Sequence, residues 1–465
     1  MLQLFERKEL SYLLEWSLRS NHKPLVIRGA RQVGKSTLVR QFAEASGLAL
    51  LEINFERNPE YREAFASKDP NLIQTAIQLL TGTKILAGKT LLFLDEIQAA
   101  PEALAALRYF YEEKPELHVL AAGSLLEFAL ADAQFSMPVG RIEYLHLGPI
   151  QFDDFMAAMG HVDLVDYLRK LSLEDIRNQS MLAVIHEKCM NLLKQYWIVG
   201  GLPEAVVQYV ATNDFSEVSR VQQSIVATYR DDFNKYSHGK LKRLVQMVFD
   251  QLPIMVGRKF KYAQVSHDYR AAELDSALQQ LCMARVATKV FHTAANGVPL
   301  AAEVNPRFFK TLYLDIGLMC AALHLNVLDL GKEDLSLINN GALAEQFVGQ
   351  HLMYSGSYYE SPELYYWVRE AKSAAAELDY VLSCDHQIIP VEIKAGTTGT
   401  LKSLHQFLKE KQRRFALRLN ADVPSLLSDK KNLTDGSTIN YELLSLPLYL
   451  IGDAPRLMRM CFNEL

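Results

Sequence analysis

The residues best suited to chemistry are Gly29-Ala30-Arg31-Gln32-Val33-Gly34-Lys35-Ser36, which fit the spacing G-x-x-x-x-G-K-S. Glycines at both ends let backbone N–H groups turn inward around phosphate oxygens. Lys35 is placed to reach the β and γ phosphates, and the Ser36 hydroxyl to ligate magnesium. A helix opening at this point adds its positive N-terminal end, and Thr37 completes the expected nucleotide-binding set. The bland alternative is a chance glycine turn. Downstream, residues 90–96 read Thr-Leu-Leu-Phe-Leu-Asp-Glu, an apolar strand ending in two acids. Asp95 is the expected magnesium partner through its water shell, and Glu96 the group that polarises the attacking water. A solvated acidic strand end is the alternative. Ser124, in Ala-Ala-Gly-Ser, stands where a γ-phosphate sensor belongs, and Arg141, in Pro-Val-Gly-Arg, is a candidate source of positive charge for the transition state. A helix cap and a surface cation compete with those two readings. The implied cofactors are ATP and Mg2+.

A second constellation lies near the C-terminus, where residues 376–381 read Ala-Glu-Leu-Asp-Tyr-Val and residues 389–394 read Ile-Pro-Val-Glu-Ile-Lys. Alternation along a strand sends Glu392 and Lys394 to one face. If the two strands pair across the turn at Asp385-His386, Asp379 joins them. The result is two carboxylates, Asp379 and Glu392, for a divalent cation, and an ammonium, Lys394, beside its bound water. Glu345, on the helix before, is a candidate third acid. The competing reading is a structural set of ion pairs without catalysis. Pro390 lacks a ladder donor, which predicts an edge strand.

The elements that must hold these residues follow from periodicity. Over 23–150, short apolar strands at 25–28, 48–55, 90–94, 119–122 and 142–147 alternate with amphipathic helices such as 36–46 and 101–112, the pattern of a parallel α/β sheet. Residues 151–250 read as long helices. A helix near 273–282, then strands at 285–292 and 300–305 around Asn296-Gly297, suit a winged helix. Further on come helix 342–353, strands 364–369, 377–383 and 388–394, helix 403–414 and strand 447–451, a second α/β unit.

Composition bounds the rest. The chain has 465 residues, 49% hydrophobic and 22% charged, a globular profile with room for several cores. Its net charge of −5 gives no global pull toward nucleic acid or anionic lipid. Locally the balance reverses: residues 230–261 carry eight Lys or Arg against three Asp, and 402–418 six against one Glu. Such tracts suit phosphates or, more blandly, a solvated helix face. Five scattered cysteines, with no Cys-x-x-Cys, argue against a disulfide framework or structural zinc. The charged start predicts no signal peptide, and the chain is expected in the cytoplasm, away from membrane.

The segments IRGARQVGKSTL, LLFLDEIQ, AAGSLLE, MPVGRIEYLHLGPIQFDDF, GGLPEAV, EVNPRFFKTLYLDIGLM, GALAEQFVGQHL and YYWVRE together resemble the prokaryotic AAA-type ATPases that carry a C-terminal domain of unknown function. The resemblance implies a P-loop AAA-type ATPase domain over 1–150, a helical lid or spacer over 151–250 and a winged-helix-like region over 251–335. Over 336–465 it implies an α/β domain similar to the restriction-endonuclease-like PD-(D/E)xK core, in which residues such as Asp379, Glu392 and Lys394 bind magnesium and activate water. ATP and ADP are then ligands, DNA or RNA the expected partner, and a homo-oligomer is open. Two functions remain at this stage: an ATPase whose cycle controls a nuclease-like half on nucleic acid, and a nucleotide-dependent switch that binds a protein partner through an inactive nuclease-like module.

Overall fold

In the computed structural model, residues 7–131, 140–325, 340–369, 376–394, 401–433 and 436–464 are described. They form two units. The first comprises Met1–Ile150 with the short later segments Met283–Val286 and Gly356–Pro362; the second holds the remainder.

The first unit is built on five parallel strands, β1 (Leu25–Arg28), β2 (Ala49–Asn54), β3 (Thr90–Asp95), β4 (His118–Gly123) and β5 (Glu143–His146), in the order β2-β3-β4-β1-β5. Every residue of β3 and β4 is buried, which is why these strands read as unbroken apolar runs: helices cover both faces of a parallel sheet. Each expected strand lies within a residue or so of its observed bounds, and the helices Lys35–Ser46 and Pro101–Glu113 begin and end where the periodicity places them. The strand order has a consequence for function. From β1 the chain travels to the far edge at β2 and returns inward through β3 and β4, then passes over β1 to β5. Connections leave β1 and β4 in opposite senses, so a crevice opens at the carboxyl ends of the central strands.

The second unit starts with helices, among them Ala183–Val199, Phe215–Tyr236 and Gly239–Met255, and ends in an eight-stranded mixed sheet. Its strands are β6 (Ala287–Thr293), β7 (Val304–Tyr313), β8 (Tyr365–Val368), β9 (Glu377–Cys384), β10 (Gln387–Ile393), β11 (Phe415–Asn420), β12 (Ser425–Asn432) and β13 (Thr438–Pro447), in the order β12-β13-β11-β10-β9-β8-β6-β7. The helix Lys402–Lys411 buries Leu404, Phe407 and Leu408 against Trp367, Leu378, Val381 and Leu443.

Several expectations are corrected here. The β6–β7 hairpin does follow helices Gly239–Met255 and Ala271–Met283, but it forms the end of the large sheet, with β6 parallel to β8, so one sheet continues across the division expected at 335/336. The stretch 300–305 begins as a 3-10 turn, Leu300–Glu303, before β7, since the Leu-Ala-Ala-Glu after Pro299 favours a helical turn. Residues Leu448–Asp453 are also 3-10, because β13 has already ended at Pro447. Strands β11 to β13 occupy a region where only 447–451 is expected as strand. Pro390 does not mark an edge: β10 lies between β9 and β11, and its pairing with β11 begins at Val391, just past the proline that has no N–H to give.

Candidate nucleotide site and acid–lysine cluster

β1 delivers the chain at Arg28, and Gly29 follows where a Cβ would stand 2.4 Å from the Leu147 carbonyl oxygen. Gly34, at φ +91°, turns the loop into the helix Lys35–Ser46, a backbone that side chains resist. The Lys35 ammonium folds back, donating to the carbonyls of Gly29 at 3.1 Å and Ala30 at 2.7 Å. Burial pulls its pKa down to about 8, against the opposing charges of Glu96 and Asp95. Ser36 Oγ donates to Asp95 Oδ2 at 3.1 Å, and Asn54 Nδ2 donates to the same oxygen at 3.1 Å. Burial, then the Glu96 charge, raise the Asp95 carboxyl above its ordinary range. Thr37 lies in the first helical turn, half-buried.

Glu96 sits at φ +50°, directly after β3. Its Oε2 accepts from Gln98 Nε2 at 2.7 Å and from Ser124 Oγ at 3.2 Å. Gly123 permits this: a Cβ there would lie 2.2 Å from Gln98 Oε1. Arg31 Nε reaches Ser124 Oγ at 3.3 Å, so the loop, the β3 acids and the β4 serine form one connected set. Asn54 and Gln98 escape sequence reasoning as functional candidates, although Asn54 ends the strand in register with Asp95 and so had a readable signal.

Arg141 is not brought to this site. Its Nε pairs with Glu112 Oε1 at 2.8 Å, at the end of the helix Pro101–Glu113 and two residues before β5 starts. In a parallel sheet that is the edge where strands begin, opposite the phosphate loop. Besides Arg31 within the loop, Arg28 and Arg285 are cations nearer to it than Arg141. Arg28 Nε lies 2.9 Å and Arg285 Nη2 2.8 Å from Glu127 Oε1, and Arg285 is close enough for its charge to help lower the Lys35 pKa. Burial pushes the Glu127 carboxyl up, but the two guanidinia outweigh it and hold it below its ordinary range. Nothing in the sequence marks Arg285 as their companion.

In the second unit β9 and β10 pair antiparallel, with Tyr380 opposite Val391, which places Asp379 and Glu392 next to that pair. Asp379 Oδ2 accepts from the Ile393 N–H at 2.7 Å, and Lys394 Nζ lies 2.5 Å from Glu392 Oε1. Glu392 Oε2 is buried with no hydrogen-bond partner. Burial, reinforced by the Asp379 charge, lifts the Glu392 carboxyl to about 7. Glu345, on the helix Asn340–Leu352, joins the set as expected, also lifted to about 7 by burial. An unexpected member is Lys310 on β7, whose ammonium lies 3.0 Å from Glu345 Oε1 and 2.5 Å from Glu377 Oε1. A cavity of about 260 Å³ opens onto Glu345 and Asp379, with Arg258 on its wall. Among the described residues, no group of three or more His, Cys, Asp or Glu stands ready to hold one metal ion. Of the expected metal pair, Glu392 keeps one buried carboxylate oxygen without a hydrogen-bond partner, and Asp379 lines the cavity.

With this geometry in place, sequence comparison adds the family. Residues 21–156 match a family described as an AAA domain. The first unit carries an AAA domain. Residues 190–329 and 340–435 match two further families, each described only as a domain of unknown function (DUF8612 and DUF4143). No curated protein matches the chain. Similar solved structures include the Walker-type ATPase PABY2304 of Pyrococcus abyssi, 16% identical over 69% of this chain and 96% of that one, with TM-score 0.42. The Aeropyrum pernix ORC2 protein is 12% identical over 71% of this chain and 100% of that one, with TM-score 0.32. The Thermotoga maritima RuvB Holliday junction branch migration motor is 14% identical over 61% and 88%, with TM-score 0.29. No helix among the described residues is long and apolar enough to cross a membrane.

Proposed function

We propose that the protein is a magnesium-dependent ATPase whose nucleotide cycle controls a nuclease-like second unit on nucleic acid. The observation that carries the ATPase reading is the convergence of Lys35, Ser36, Asp95, Glu96 and Ser124 at the carboxyl ends of β1, β3 and β4. Lys35 exchanges its two carbonyl partners for β and γ phosphate oxygens, and the loop N–H groups close around them. Ser36 and Asp95 would hold magnesium, which supplies charge neutralisation between the phosphates. Glu96, released from Gln98 and Ser124, accepts the proton of the attacking water, and Ser124 turns to the γ phosphate. Arg28 and Arg285 stand near enough to add positive field once Glu127 yields them.

In the second unit, Asp379 and Glu392 would hold a divalent cation, whose effect is to lower the pKa of bound water. Lys394 orients that water, while Arg258 and the basic tract leading to it receive phosphates at the cavity mouth. One observation favours the other reading, a switch for a protein partner: Lys310 already neutralises part of the acid set. The deciding experiment measures ATP hydrolysis with magnesium, with and without single-stranded, duplex and branched DNA and RNA, and follows cleavage of the same nucleic acids with Mg2+ or Mn2+. Stimulation and cleavage, both lost in the matching variants, support the proposal. ATP turnover indifferent to nucleic acid, without cleavage, would replace it by the switch.

A further inference from the structure

A buried ion pair stands against the phosphate loop, made by Arg7 and by Glu9, the first residue of the helix Glu9–Leu18. Arg7 is 4% exposed and Glu9 1%. The guanidinium donates to both carboxylate oxygens, Nε at 3.1 Å and Nη2 at 3.4 Å. It also reaches far along the chain, with Nη1 donating to the Val33 carbonyl at 2.8 Å and Nη2 to the Gly148 carbonyl at 3.0 Å. Its own backbone is tied down, because the Arg7 carbonyl accepts from the Leu10 N–H at 3.0 Å. A buried ion pair adds little stability, since desolvation offsets the attraction. What this pair does is fix two carbonyls. One lies inside the loop; the other lies just past β5, next to Leu147, whose N–H donates to the Arg28 carbonyl at 2.8 Å.

We propose that Arg7 is a positioning residue for the nucleotide: by holding the Val33 carbonyl it aims the Gly34 N–H, on the other side of the same peptide, at the β phosphate. The inference deepens the ATPase reading and rests on it for the ligand. The Val33–Gly34 peptide is trans, and a planar trans peptide sends its C=O and N–H in opposite directions. With the carbonyl gripped by Arg7, the N–H faces away from Arg7 and donates to no group among the described residues. It is left available to a phosphate oxygen. The loop needs such a grip, because Gln32 at φ +62° and Gly34 at φ +91° flank Val33 in the left-handed region. A left-handed glutamine persists only where its surroundings hold it. Rotation of the Val33–Gly34 peptide would turn a carbonyl oxygen toward the phosphate in place of a donor. Only the planar fork of an arginine spans both carbonyls and the carboxylate in one fixed geometry; the single ammonium of a lysine does not.

The test measures Mg-ADP affinity by calorimetry on the full-length chain. Arg7→Lys keeps the charge beside Glu9 without the fork. Arg7→Met/Glu9→Leu replaces the pair by apolar side chains, a change that often leaves a fold as stable as before. Both variants should keep the wild-type near-ultraviolet CD spectrum and bind Mg-ADP about tenfold more weakly or worse, the worth of one hydrogen bond to a charged group. A second readout is one that a merely structural role would not move, the Gly34 amide resonance. Isotope labelling of valine carbonyls and glycine nitrogens shows only the five Val-Gly amides of the chain, and the one lost in Val33→Ile is Gly34. Saturating Mg-ADP should shift it downfield in the wild type and much less in both variants. Wild-type affinity in either folded variant, or weakened affinity with an unchanged Gly34 shift, overturns the proposal. If the double variant fails to fold, Arg7→Lys decides by the same two readouts. Failure of both to fold assigns Arg7 to core packing and overturns the proposal as well. If the wild type itself binds neither ATP nor ADP, the ATPase reading falls and takes the proposal with it; wild-type binding with unaffected variants removes the proposal alone.

Discussion

Glu96 and Ser124 are joined by a hydrogen bond of 3.2 Å, with Gln98 as second anchor of the same carboxylate at 2.7 Å. A base parked in this way must be released for turnover. Glu96→Gln is expected to bind ATP with near wild-type affinity and to lose hydrolysis by about 10²–10⁴-fold, since an amide cannot take the water's proton. Lys35→Ala removes the fixed charge and should abolish binding itself. Binding measured with a fluorescent ATP analogue and turnover by phosphate release separate the two. Normal turnover in either variant would contradict the assignment.

The Lys35 ammonium gives a pH signature. Its pKa of about 8, set chiefly by burial, lies below that of the unfolded chain, so the folded protein gains stability as pH rises through that interval. Bound phosphates favour the charged form, and binding above pH 8 therefore takes up a proton. Affinity should fall by up to about tenfold per pH unit above 8. Calorimetry at pH 8.5 in two buffers of different ionisation enthalpy reads the uptake directly; identical heats would mean that Lys35 is not the titrating group.

The position of Arg141 separates two kinds of legibility. Motifs and strand bounds of the first unit are readable because a phosphate loop and a buried acidic strand constrain consecutive residues. Which arginine stands near the loop depends on tertiary placement: Arg141 precedes β5 at the wrong edge, while Arg285 arrives from about 250 positions later in the chain. Arg141→Ala should leave nucleotide affinity and the turnover of dilute protein unchanged. Arg285→Ala should lower turnover by about tenfold or more, as expected when positive field at the transition state is lost. A loss in Arg141→Ala that appears only at high protein concentration would place that residue in a neighbouring copy's site.

The conspicuous Gly200-Gly201-Leu202-Pro203 and Asp315-Ile316-Gly317-Leu318 are explained by packing. Asp315 is buried and accepts from the N–H groups of Gly201 at 2.7 Å and Leu318 at 3.1 Å. Gly317 lies so close that a Cβ would stand 2.6 Å from the Gly200 nitrogen. Neither segment shows its partner in the sequence, because the two are more than a hundred residues apart. Strands β11 to β13 were illegible for a related reason: β11 finds its partners in β10 and β13, and polar β12 lacks an apolar period. Gly317→Ala should destabilise the second unit by roughly 1–3 kcal/mol, the range of overpacking in a core. Gly297→Ala, with open space around it, should stay within about 0.5 kcal/mol. Hydrogen exchange of the amides around Gly200 reports the difference, and equal protection in both variants would refute it.

Nucleic-acid binding through the two basic tracts is the last expected outcome. Not every cation there is available: Arg230 pairs with Asp250 and Lys240 with Glu273, so the net charge of the first tract overstates its field. Lys259 stacks its ammonium 3.5 Å from the centroid of the Phe308 ring while remaining exposed, next to Arg258 at the cavity wall. Arg243 and Arg414 are exposed, and Arg413 reaches the Asn296 carbonyl at 3.3 Å. Charge reversal at Lys242, Arg243, Lys259, Arg413 and Arg414 should therefore weaken binding by tenfold or more at moderate salt. The loss should be the same for unrelated sequences, because phosphate contacts carry no base information. For the wild type the logarithm of affinity should fall with the logarithm of salt at a slope of about −0.9 for each phosphate neutralised on duplex DNA, and the slope should shrink as each contacting cation is reversed. Fluorescence anisotropy with labelled duplex and single strands over a salt series measures both. A salt-independent affinity, or no binding to any DNA or RNA, would assign these tracts to a solvated surface and the second unit to a protein partner.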